Sequence, residues 1–405
     1  MLNRIWGGAG LASSIFRVAF VDTHPIQYQA PWYRKLAAHP QLDIHVFFCH
    51  KAGPRDQAAA GFNVEFDWDI SLLDGYPHTF LSNRSSQPGL TRFRGLDTPE
   101  IRGIIERERY DAVVVHGWHY KSAWQTILAC WRARIPVMAR SDSYLFTQRS
   151  ALTRGFKWFL YRQFIPKLSA CLAAGQRSRE YFLHYGAQSN LIFLVPYLLD
   201  ETLFSQQVSA WMPRRSELRR RWELAEAPTV FLFAGKFIQK KRPMDFIRAI
   251  DQAAGKGARI MGLMVGDGPL RSACESFVKE RSVPIRFTGF LNQSEIVHSY
   301  IAADVLVLPS DIGETWGMVV NEAMACGRLC LVSDRVGCGP DLVLPGKTGE
   351  VFPTGDVGAL ARLLGSYSNR PDLVRQQGHQ ARKQVEEYSS SDGVNEILQA
   401  LARIK

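Results

Sequence analysis

Two glutamates, Glu314 and Glu322, stand eight positions apart in the stretch of this sequence that is best suited to bind a polar ligand. The run PSDIGETWGMVVNEAMACG predicts a strand that ends at Pro309, then a loop that carries Glu314, then a helix that begins near Gly317. Eight helical residues would separate the carboxylates by about 12 Å, whereas the carboxylate pair of a retaining glycosidase is about 5 to 5.5 Å apart. We therefore expect each glutamate to accept hydrogen bonds from different hydroxyl groups of one elongated ligand.

The start of this predicted helix could bind a negative charge between the two glutamates. The backbone N–H groups of Gly317, Met318 and Val319 have no partner within the helix, and such groups attract anions. A ligand with hydroxyl groups at both ends and negative charge in the middle is a nucleotide sugar.

Two lysines are predicted to lie at the same edge of the sheet. Lys236 and Lys241 occupy the turn after a predicted strand at 229–235, where they could neutralise a diphosphate and stabilise the charge that grows on it as a sugar bond breaks. A solvated basic turn is the alternative. Gly266 and Gly268, in the run VGDGP, predict a tight turn after the next strand, in which a ligand could approach the backbone.

Short β-branched or aromatic runs alternate with amphipathic stretches along the whole chain, which is typical of parallel sheets covered by helices. The predicted strands lie at 16–22, 43–49, 111–117, 136–140, 229–235, 258–266, 285–290, 304–310 and 328–334. The sequence therefore predicts an α/β protein with two Rossmann-like domains that face a cleft, the usual place for a small-molecule site.

The predicted boundaries follow changes in composition along the 405 residues. Residues 1–204 form the first domain, with about 15 irregular residues at its start, and the polar, arginine-rich segment 205–228 is a linker. Residues 229–385 form the second domain. Residues 386–405 form a helix that could pack back on the first domain.

The motifs of the second domain, taken together, resemble glycosyltransferase family 4, which has the GT-B fold, and in particular its members that build bacterial envelopes and exopolysaccharides. They are the G-[RK]-x4-K turn at 235–241, VGDGP, FTGF followed by AADVLVLPS, E-x-[FW]-G-x4-EAMACG, and PGKTGEVFPTGD, and they cover nearly all of 229–356. The resemblance implies that Lys236 and Lys241 bind the diphosphate, Glu314 the hydroxyls of the donor sugar, and Glu322 the ribose.

The first domain matches that family less closely. The run DAVVVHG places His116 where the family often has a histidine near the donor sugar and the acceptor, although a purely structural role at the strand end is the alternative. The glycine-rich loop that the family has after the first strand is replaced by DTHPIQYQAPW. The residues predicted on the acceptor side are His24, Gln27, Tyr28, His116 and His119.

The resemblance implies a transfer that retains the anomeric configuration without a bound metal. Glu314, His116, Lys241 and Lys236 are then the predicted catalytic residues, with the nucleotide on the second domain and the acceptor on the first. We expect no cofactor besides the nucleotide-sugar co-substrate. Two alternatives stay open: a nucleotide-sugar epimerase or phosphorylase of the same fold, and a non-catalytic saccharide-binding protein.

A net charge of +11 indicates an anionic partner. Between Ser143 and Arg179 there are seven basic residues and no acidic ones, and aromatic side chains are interleaved with them. This pattern predicts either an anionic membrane surface as a partner of 149–167, with a saccharide or lipid-linked acceptor, or a solvated helix that covers its own core. Nucleic acid is not expected, because no binding motif accompanies the charge.

Seven scattered cysteines without a CxxC pair predict reduced thiols and a cytoplasmic protein, which could lie on the inner face of the plasma membrane. The GKT of PGKTG does not indicate a phosphate-binding P-loop, because the glycine that the motif needs is replaced by Asp341.

Overall fold

The computed structural model describes residues 15–146, 149–225, 228–390 and 393–404. The irregular start predicted for the chain lies outside these residues, apart from Ile15. Two parallel sheets, one in each half of the chain, are covered by helices on both faces. The prediction of an α/β protein with two Rossmann-like domains is confirmed.

The first sheet has the strand order β3-β2-β1-β4-β5-β6-β7. Its strands are β1 (Phe16–Asp22), β2 (Leu42–Phe48), β3 (His78–Phe80), β4 (Ala112–His116), β5 (Val137–Ser141), β6 (Ala170–Ala173) and β7 (Ile192–Leu194). The helices of this half are α1 (Ala30–Ala37), α2 (Pro54–Gln57), α3 (Ile101–Glu108), α4 (Lys121–Ala133), α5 (Ala151–Phe164) and α6 (Gln176–His184). Central strands such as β4, with Val113, Val114 and Val115, are apolar throughout because both faces of the sheet are buried.

The second sheet has the order β10-β9-β8-β11-β12-β13. Its strands are β8 (Thr229–Ala234), β9 (Ile260–Val265), β10 (Ile285–Gly289), β11 (Val305–Leu308), β12 (Leu329–Ser333) and β13 (Gly349–Phe352). The remaining helices are α7 (Glu201–Trp211), α8 (Arg215–Arg221), α9 (Pro243–Gly255), α10 (Arg271–Arg281), α11 (Ile296–Ala302), α12 (Met318–Ala325), α13 (Gly339–Leu342), α14 (Val357–Ser368), α15 (Pro371–Ser390) and α16 (Gly393–Ile404).

Each sheet reverses its strand order once, between β1 and β4 in the first and between β8 and β11 in the second. Ligands of open parallel sheets bind beyond the carboxyl ends of the strands at such reversals. The loops after β1, β8 and β11 carry Tyr28, Lys236 and Glu314, respectively. The topology therefore brings predicted site residues of both domains to one cleft.

The predicted linker and the last helix of the chain both pack against the domains. The predicted linker 205–228 contains most of α7 and all of α8, and Val208 and Leu218 belong to the core of the second domain. Helix α16 lies on the first domain, where Ile397 and Leu401 pack in the same core cluster as Trp32. The domain limits themselves stay a prediction. Within the described part of the chain, no helix has the length and hydropathy needed to cross a membrane.

Candidate functional site

A cavity of about 430 Å³ lies between the two domains, at the carboxyl ends of both sheets. Residues of both domains line it, and eight of them were predicted from the sequence: His24, Gln27, Tyr28, Lys236, Lys241, Gly266, Val319 and Glu322. We call this space the donor cavity.

Glu314 does not line the donor cavity, but it forms an ion pair with Lys241, which does. Lys241 lines the cavity, and its Nζ donates a hydrogen bond to Glu314 Oε2. Burial alone would raise the pKa of Glu314, but Lys241, with smaller contributions from Lys240 and Ser310, holds that pKa below its ordinary value of 4.5. Glu314 is therefore a buried carboxylate whose charge depends on Lys241.

Lys236 places a second cation on the donor cavity. Its Nζ lies 4.2 Å from the centre of the Phe62 ring of the first domain, which is within the range of a cation–π contact. Burial, and then the charges of Lys240 and Lys241, lower the pKa of Lys236 to about 8. An anion between Lys236 and Lys241 would relieve this repulsion.

Glu322 lies on α12, where it is 2% exposed. Its carboxylate accepts one hydrogen bond from Tyr300 at 2.5 Å and one from Tyr28, across the cleft, at 3.2 Å. Burial raises the pKa of Glu322 to about 7, although the two tyrosines and Lys241 act in the opposite direction. The site thus holds a buried carboxylate that already accepts two O–H donors, as a pair of ribose hydroxyls would require.

The predicted glycines Gly266 and Gly268 lie so close to a neighbouring turn that neither position has room for a side chain. A β-carbon on Gly266 would lie 2.1 Å from the carbonyl oxygen of Gly235, and one on Gly268 would lie 2.8 Å from the nitrogen of Phe237. Gly266 lines the donor cavity, and Gly268 does not. The two turns after β8 and β9 therefore need both glycines for their own packing, whatever approaches Gly266 from the cavity.

The start of α12 lies beside the donor cavity as predicted, but only Val319 of its first residues lines it. Gly317 precedes the helix with a φ of +103°, and its β-carbon would lie 3.0 Å from Leu308. Gly317 and Met318 are thus set back from the cavity, and their roles as anion donors stay a prediction.

His116 is held inside the first domain. Its Nδ1 lies 3.3 Å from Asp22 Oδ2, and its Nε2 lies 3.0 Å from Nη1 of Arg140. A guanidinium can only donate, so Nε2 is the acceptor in this pair, while Nδ1 lies near both the Asp22 carboxylate and Nε2 of Gln29, the latter at 3.1 Å. His116 does not line the donor cavity, so its predicted catalytic role stays a prediction and positioning is the role that its contacts support.

Arg140 is the centre of this buried network and is 1% exposed. It lies 4.5 Å from the Trp32 ring, and its Nη2 donates to the carbonyl oxygens of Val195 and Pro196 at 3.2 and 3.0 Å. The sequence did offer a signal, since an arginine in the apolar run PVMAR, like the aspartate that ends FRVAFVD, is unusual for a buried strand.

We expect Arg140→Met to lower the free energy of unfolding by about 2 to 4 kcal/mol, because two buried carbonyls and the His116 ring lose their donor. Urea unfolding followed by tryptophan fluorescence measures this change. Arg132→Met, at an exposed position on α4, is the control and should change the value by less than about 0.5 kcal/mol. Equal midpoints for the two variants would show that the network does not stabilise the fold.

The other two predicted histidines lie in different surroundings. His24 lines the donor cavity, and its Nδ1 lies 2.9 Å from Oγ1 of Thr23. Burial lowers the pKa of His24, so a neutral ring is favoured there. His119 is exposed in the loop between β4 and α4 and does not line the cavity.

Aromatic residues that the sequence analysis did not single out close one side of the donor cavity. Phe62 and Trp68 of the first domain line it together with Phe290 of the second. Phe66 lies 4.2 Å from Phe290, ring centre to ring centre, and Phe62 lies 5.5 Å from it. The run GFNVEFDW has no helical or strand periodicity, so only its density of aromatic residues could have indicated this contact.

The loop that carries Glu314 is fixed by the first domain. The N–H of Gly313 donates to the hydroxyl of Tyr144, and Oγ1 of Thr315 donates to Asp142 at 2.7 Å. Both partners come from the loop that follows β5. The position of Glu314 therefore depends on how the first domain sits against the second.

In the described residues there is no group of three or more His, Cys, Asp or Glu side chains that could hold a metal ion. The absence of a metal requirement stays a prediction about the reaction.

Two family models match the chain one after the other. The model described as "Glycosyl transferase 4-like domain" matches residues 26–197, and the model described as "Glycosyl transferases group 1" matches residues 214–384. Together they account for most of both domains.

Curated relatives are similar to parts of the chain. The N-acetyl-alpha-D-glucosaminyl L-malate synthase of Bacillus anthracis is 27% identical over 44% of this chain and 46% of its own length. The sulfoquinovosyl transferase of Arabidopsis thaliana is 36% identical over 31% of this chain and 24% of its own length. The chain thus spans less than half the length of these two relatives.

Solved structures are similar over nearly the whole chain. HepE from Anabaena, in complex with UDP and glucose, has a TM-score of 0.67 and 17% identity, and the match covers 95% of this chain and 98% of that one. A glycosyltransferase from Rickettsia africae has a TM-score of 0.72 and 15% identity, and the match covers 96% and 98% of the two chains. These two likenesses show the GT-B fold. The two family models, which follow one another over residues 26–197 and 214–384, show that the chain belongs to the glycosyltransferases of the family 4 type.

Proposed function

We propose that this protein transfers a sugar from a nucleoside-diphosphate sugar to an acceptor hydroxyl group, with retention of the anomeric configuration and without a metal. The observation that carries the proposal is that Lys236, Lys241 and Glu322 line one interdomain cavity, with Glu314 paired to Lys241. The similar HepE of Anabaena has been solved with UDP-glucose, which supports a nucleotide-sugar donor.

The donor cavity offers an apolar surface, a carboxylate and two cations, which a base, a ribose and a diphosphate, respectively, could contact. Phe290, Leu291 and Ile296 form an apolar end, which can take the flat face of a base. In our proposal the ribose hydroxyls bind Glu322, and the diphosphate lies by Lys236 and Lys241. The hydroxyls of the sugar then face Glu314.

The transfer step moves electrons from the sugar bond to the diphosphate. As the bond between the anomeric carbon and the phosphate oxygen breaks, negative charge grows on that oxygen, and the two lysines stabilise it. The acceptor oxygen forms its bond on the same face through an oxocarbenium-like state, and its proton passes to the leaving phosphate. The proposal needs no carboxylate nucleophile and no bound cation.

The donor class is tested by calorimetry with UDP-, GDP-, ADP- and TDP-sugars, first without metal and then with a chelator. We expect one donor to bind in both conditions and NMR of the product to show the anomeric configuration of the donor. Conversion of the donor without an acceptor would indicate an epimerase, and loss of binding with chelator would contradict the metal-independent site.

Helix α5 supports an acceptor at an anionic membrane surface, on the inner face of the plasma membrane. Phe164 is the residue of this helix that is buried, while Leu152, Phe156 and Phe159 are 88%, 67% and 59% exposed. Phe156 follows Leu152 by four positions, and Phe159 and Leu160 follow Phe156 by three and four, so the four residues form one apolar stripe. Arg154 and Arg162 add positive charge to the same helix, so a lipid-linked saccharide is the acceptor that we favour.

We expect the double variant Phe156→Ser and Phe159→Ser to bind phosphatidylglycerol vesicles at least about 100-fold more weakly, because each ring would lose its apolar burial. Flotation with vesicles measures the bound fraction. Phe93→Ser, at a phenylalanine that is 52% exposed outside α5, is the matched control and should bind as the wild type does. Equal binding of the double variant and the control would exclude α5 as the contact.

A further inference from the structure

A second, larger cavity of about 770 Å³ lies between α5, the loop after β5 and the second domain. Arg149, Arg154 and Lys157 line it from the first domain, and Arg335 lines it from the second. Of the described residues that line it, none is acidic. We call this space the basic cavity.

Aromatic rings hold the cations of the basic cavity in place. Nζ of Lys157 lies 4.9 to 5.5 Å from the ring centres of Tyr161, Tyr181 and Tyr185. The guanidinium of Arg335 lies 4.3 Å from the ring centre of Phe146, and its Nε is 3.7 Å from Asp334. The rings around Lys157 fix the direction of its ammonium group but do not neutralise it, so Lys157 contributes positive charge to the cavity.

The pKa of Lys157 reflects its burial in this cavity beside another cation. Burial, and then the charge of Arg149, lower the pKa of Lys157 to about 8. An anion within the cavity would offset both effects.

The basic cavity shares a wall with the loop that carries Glu314. Ile312 and Tyr144 line the cavity, and the Tyr144 hydroxyl accepts the hydrogen bond of the adjoining Gly313. A group bound in the basic cavity therefore lies next to the loop on which the donor sugar is proposed to bind. Trp158 lines the same cavity, from the helix with the exposed apolar stripe.

We propose that the basic cavity binds a phosphate or diphosphate group carried by the acceptor, with Lys157 and Arg335 as its ligands from opposite domains. This inference rests on the proposed function, since it names the chemical class of the acceptor. Such a phosphate comes either from a membrane lipid or from a soluble phosphorylated acceptor. The apolar stripe of α5 favours the lipid.

The test compares three variants that each remove one positive charge. Lys157→Gln and Arg335→Gln change the basic cavity, whereas Arg248→Gln changes α9 at an exposed residue that neither lines this cavity nor belongs to α5. The first probe is a set of phosphatidylcholine vesicles with phosphatidic acid, compared with phosphatidylglycerol vesicles of the same surface potential. The second probe is inorganic phosphate, titrated by calorimetry with the nucleoside diphosphate of the identified donor present to occupy the donor cavity.

The wild type should prefer phosphatidic acid, and Lys157→Gln and Arg335→Gln should each weaken that binding about tenfold, because each loses a charge-assisted hydrogen bond to phosphate. Arg248→Gln should change it less than about twofold. Phosphate binding without a lipid preference, still lost in the two cavity variants, would assign the site to a soluble phosphorylated acceptor. Identical behaviour of all three variants with both probes would overturn the proposal.

The same calorimetry separates this inference from the proposed function. Binding of one nucleotide sugar without phosphate-specific effects would refute the basic cavity and leave the transferase proposal standing. Phosphate-specific effects without binding of any of the four nucleotide sugars would do the reverse, since the phosphate would then have a site while the donor had none.

Discussion

Lys241→Ala should lower kcat by about 100- to 1000-fold, because one preorganised cation at the growing charge of the leaving phosphate is lost. The same change leaves Glu314 as a buried carboxylate without its cation, so we also expect a loss of about 3 kcal/mol in the free energy of unfolding. Steady-state kinetics with the donor identified by calorimetry, and urea unfolding of the same samples, measure the two effects.

Two further variants separate the catalytic effect of Lys241 from the structural one. Lys240→Ala removes an exposed lysine from the same turn and should change kcat by less than about threefold. The pair Lys241→Ala with Glu314→Gln should recover most of the lost stability, because the unpaired charge is gone, but none of the lost kcat. Recovery of kcat in that pair would mean that the loss in Lys241→Ala came from the unpaired charge of Glu314 and that neither side chain takes part in the transfer.

Glu322→Gln should weaken donor binding by about 10- to 100-fold, because hydrogen bonds from hydroxyl groups to a carboxylate are stronger than those to an amide. Isothermal titration with the donor measures this loss. Gln293→Ala changes another polar residue that lines the donor cavity and is the matched control, with a smaller expected effect. Donor affinity that is unchanged in Glu322→Gln would place the ribose elsewhere.

The same variant should be more stable than the wild type above neutral pH. The pKa of Glu322 is about 7 in the folded protein, above its ordinary value of 4.5, so the folded protein binds this proton more tightly than the unfolded chain does. This group therefore favours folding below pH 4.5 relative to alkaline pH, and its contribution declines as the pH rises through 7. We expect Glu322→Gln to gain up to about 2 kcal/mol at pH 8 and little at pH 5. An equal gain at both pH values would contradict a titrating Glu322.

Apolar runs separated by amphipathic stretches were sufficient to predict both sheets, because the long central strands are apolar over their whole length. The strands that the sequence analysis did not identify, β3, β6, β7 and β13, have only three or four residues, too few for a periodic signal. Their place in the sheets is set by tertiary contacts rather than by local sequence.

The arginines of α8 show why composition alone was misleading at the domain junction. Arg215 and Arg219 both donate to Asp304 at 2.5 Å, and Nε of Arg219 donates to the carbonyl oxygen of Ala302 at 3.0 Å. These charges cap the end of α11 instead of facing solvent, while Leu218 between them is buried. A polar segment of sequence therefore contains a packed helix.

The positions of the proposed donor-site residues follow most directly from the sequence where those residues come after strand ends, since the topology alone brings Lys236 and Glu314 together. The sequence does not indicate which residues from distant segments form hydrogen bonds with the site. Nothing in the local pattern links Tyr28 to Glu322 or Tyr144 to Gly313, because each pair joins the two domains. Contacts of that kind depend on how whole domains meet.

Tyr28 of the first domain donates a hydrogen bond to Glu322 of the second. In the proposed donor complex, the ribose takes over this acceptor, so donor binding exchanges one hydroxyl group for another. The donor affinity is then a difference between two hydrogen-bond free energies, and Tyr28 is the first-domain side chain that loses its acceptor.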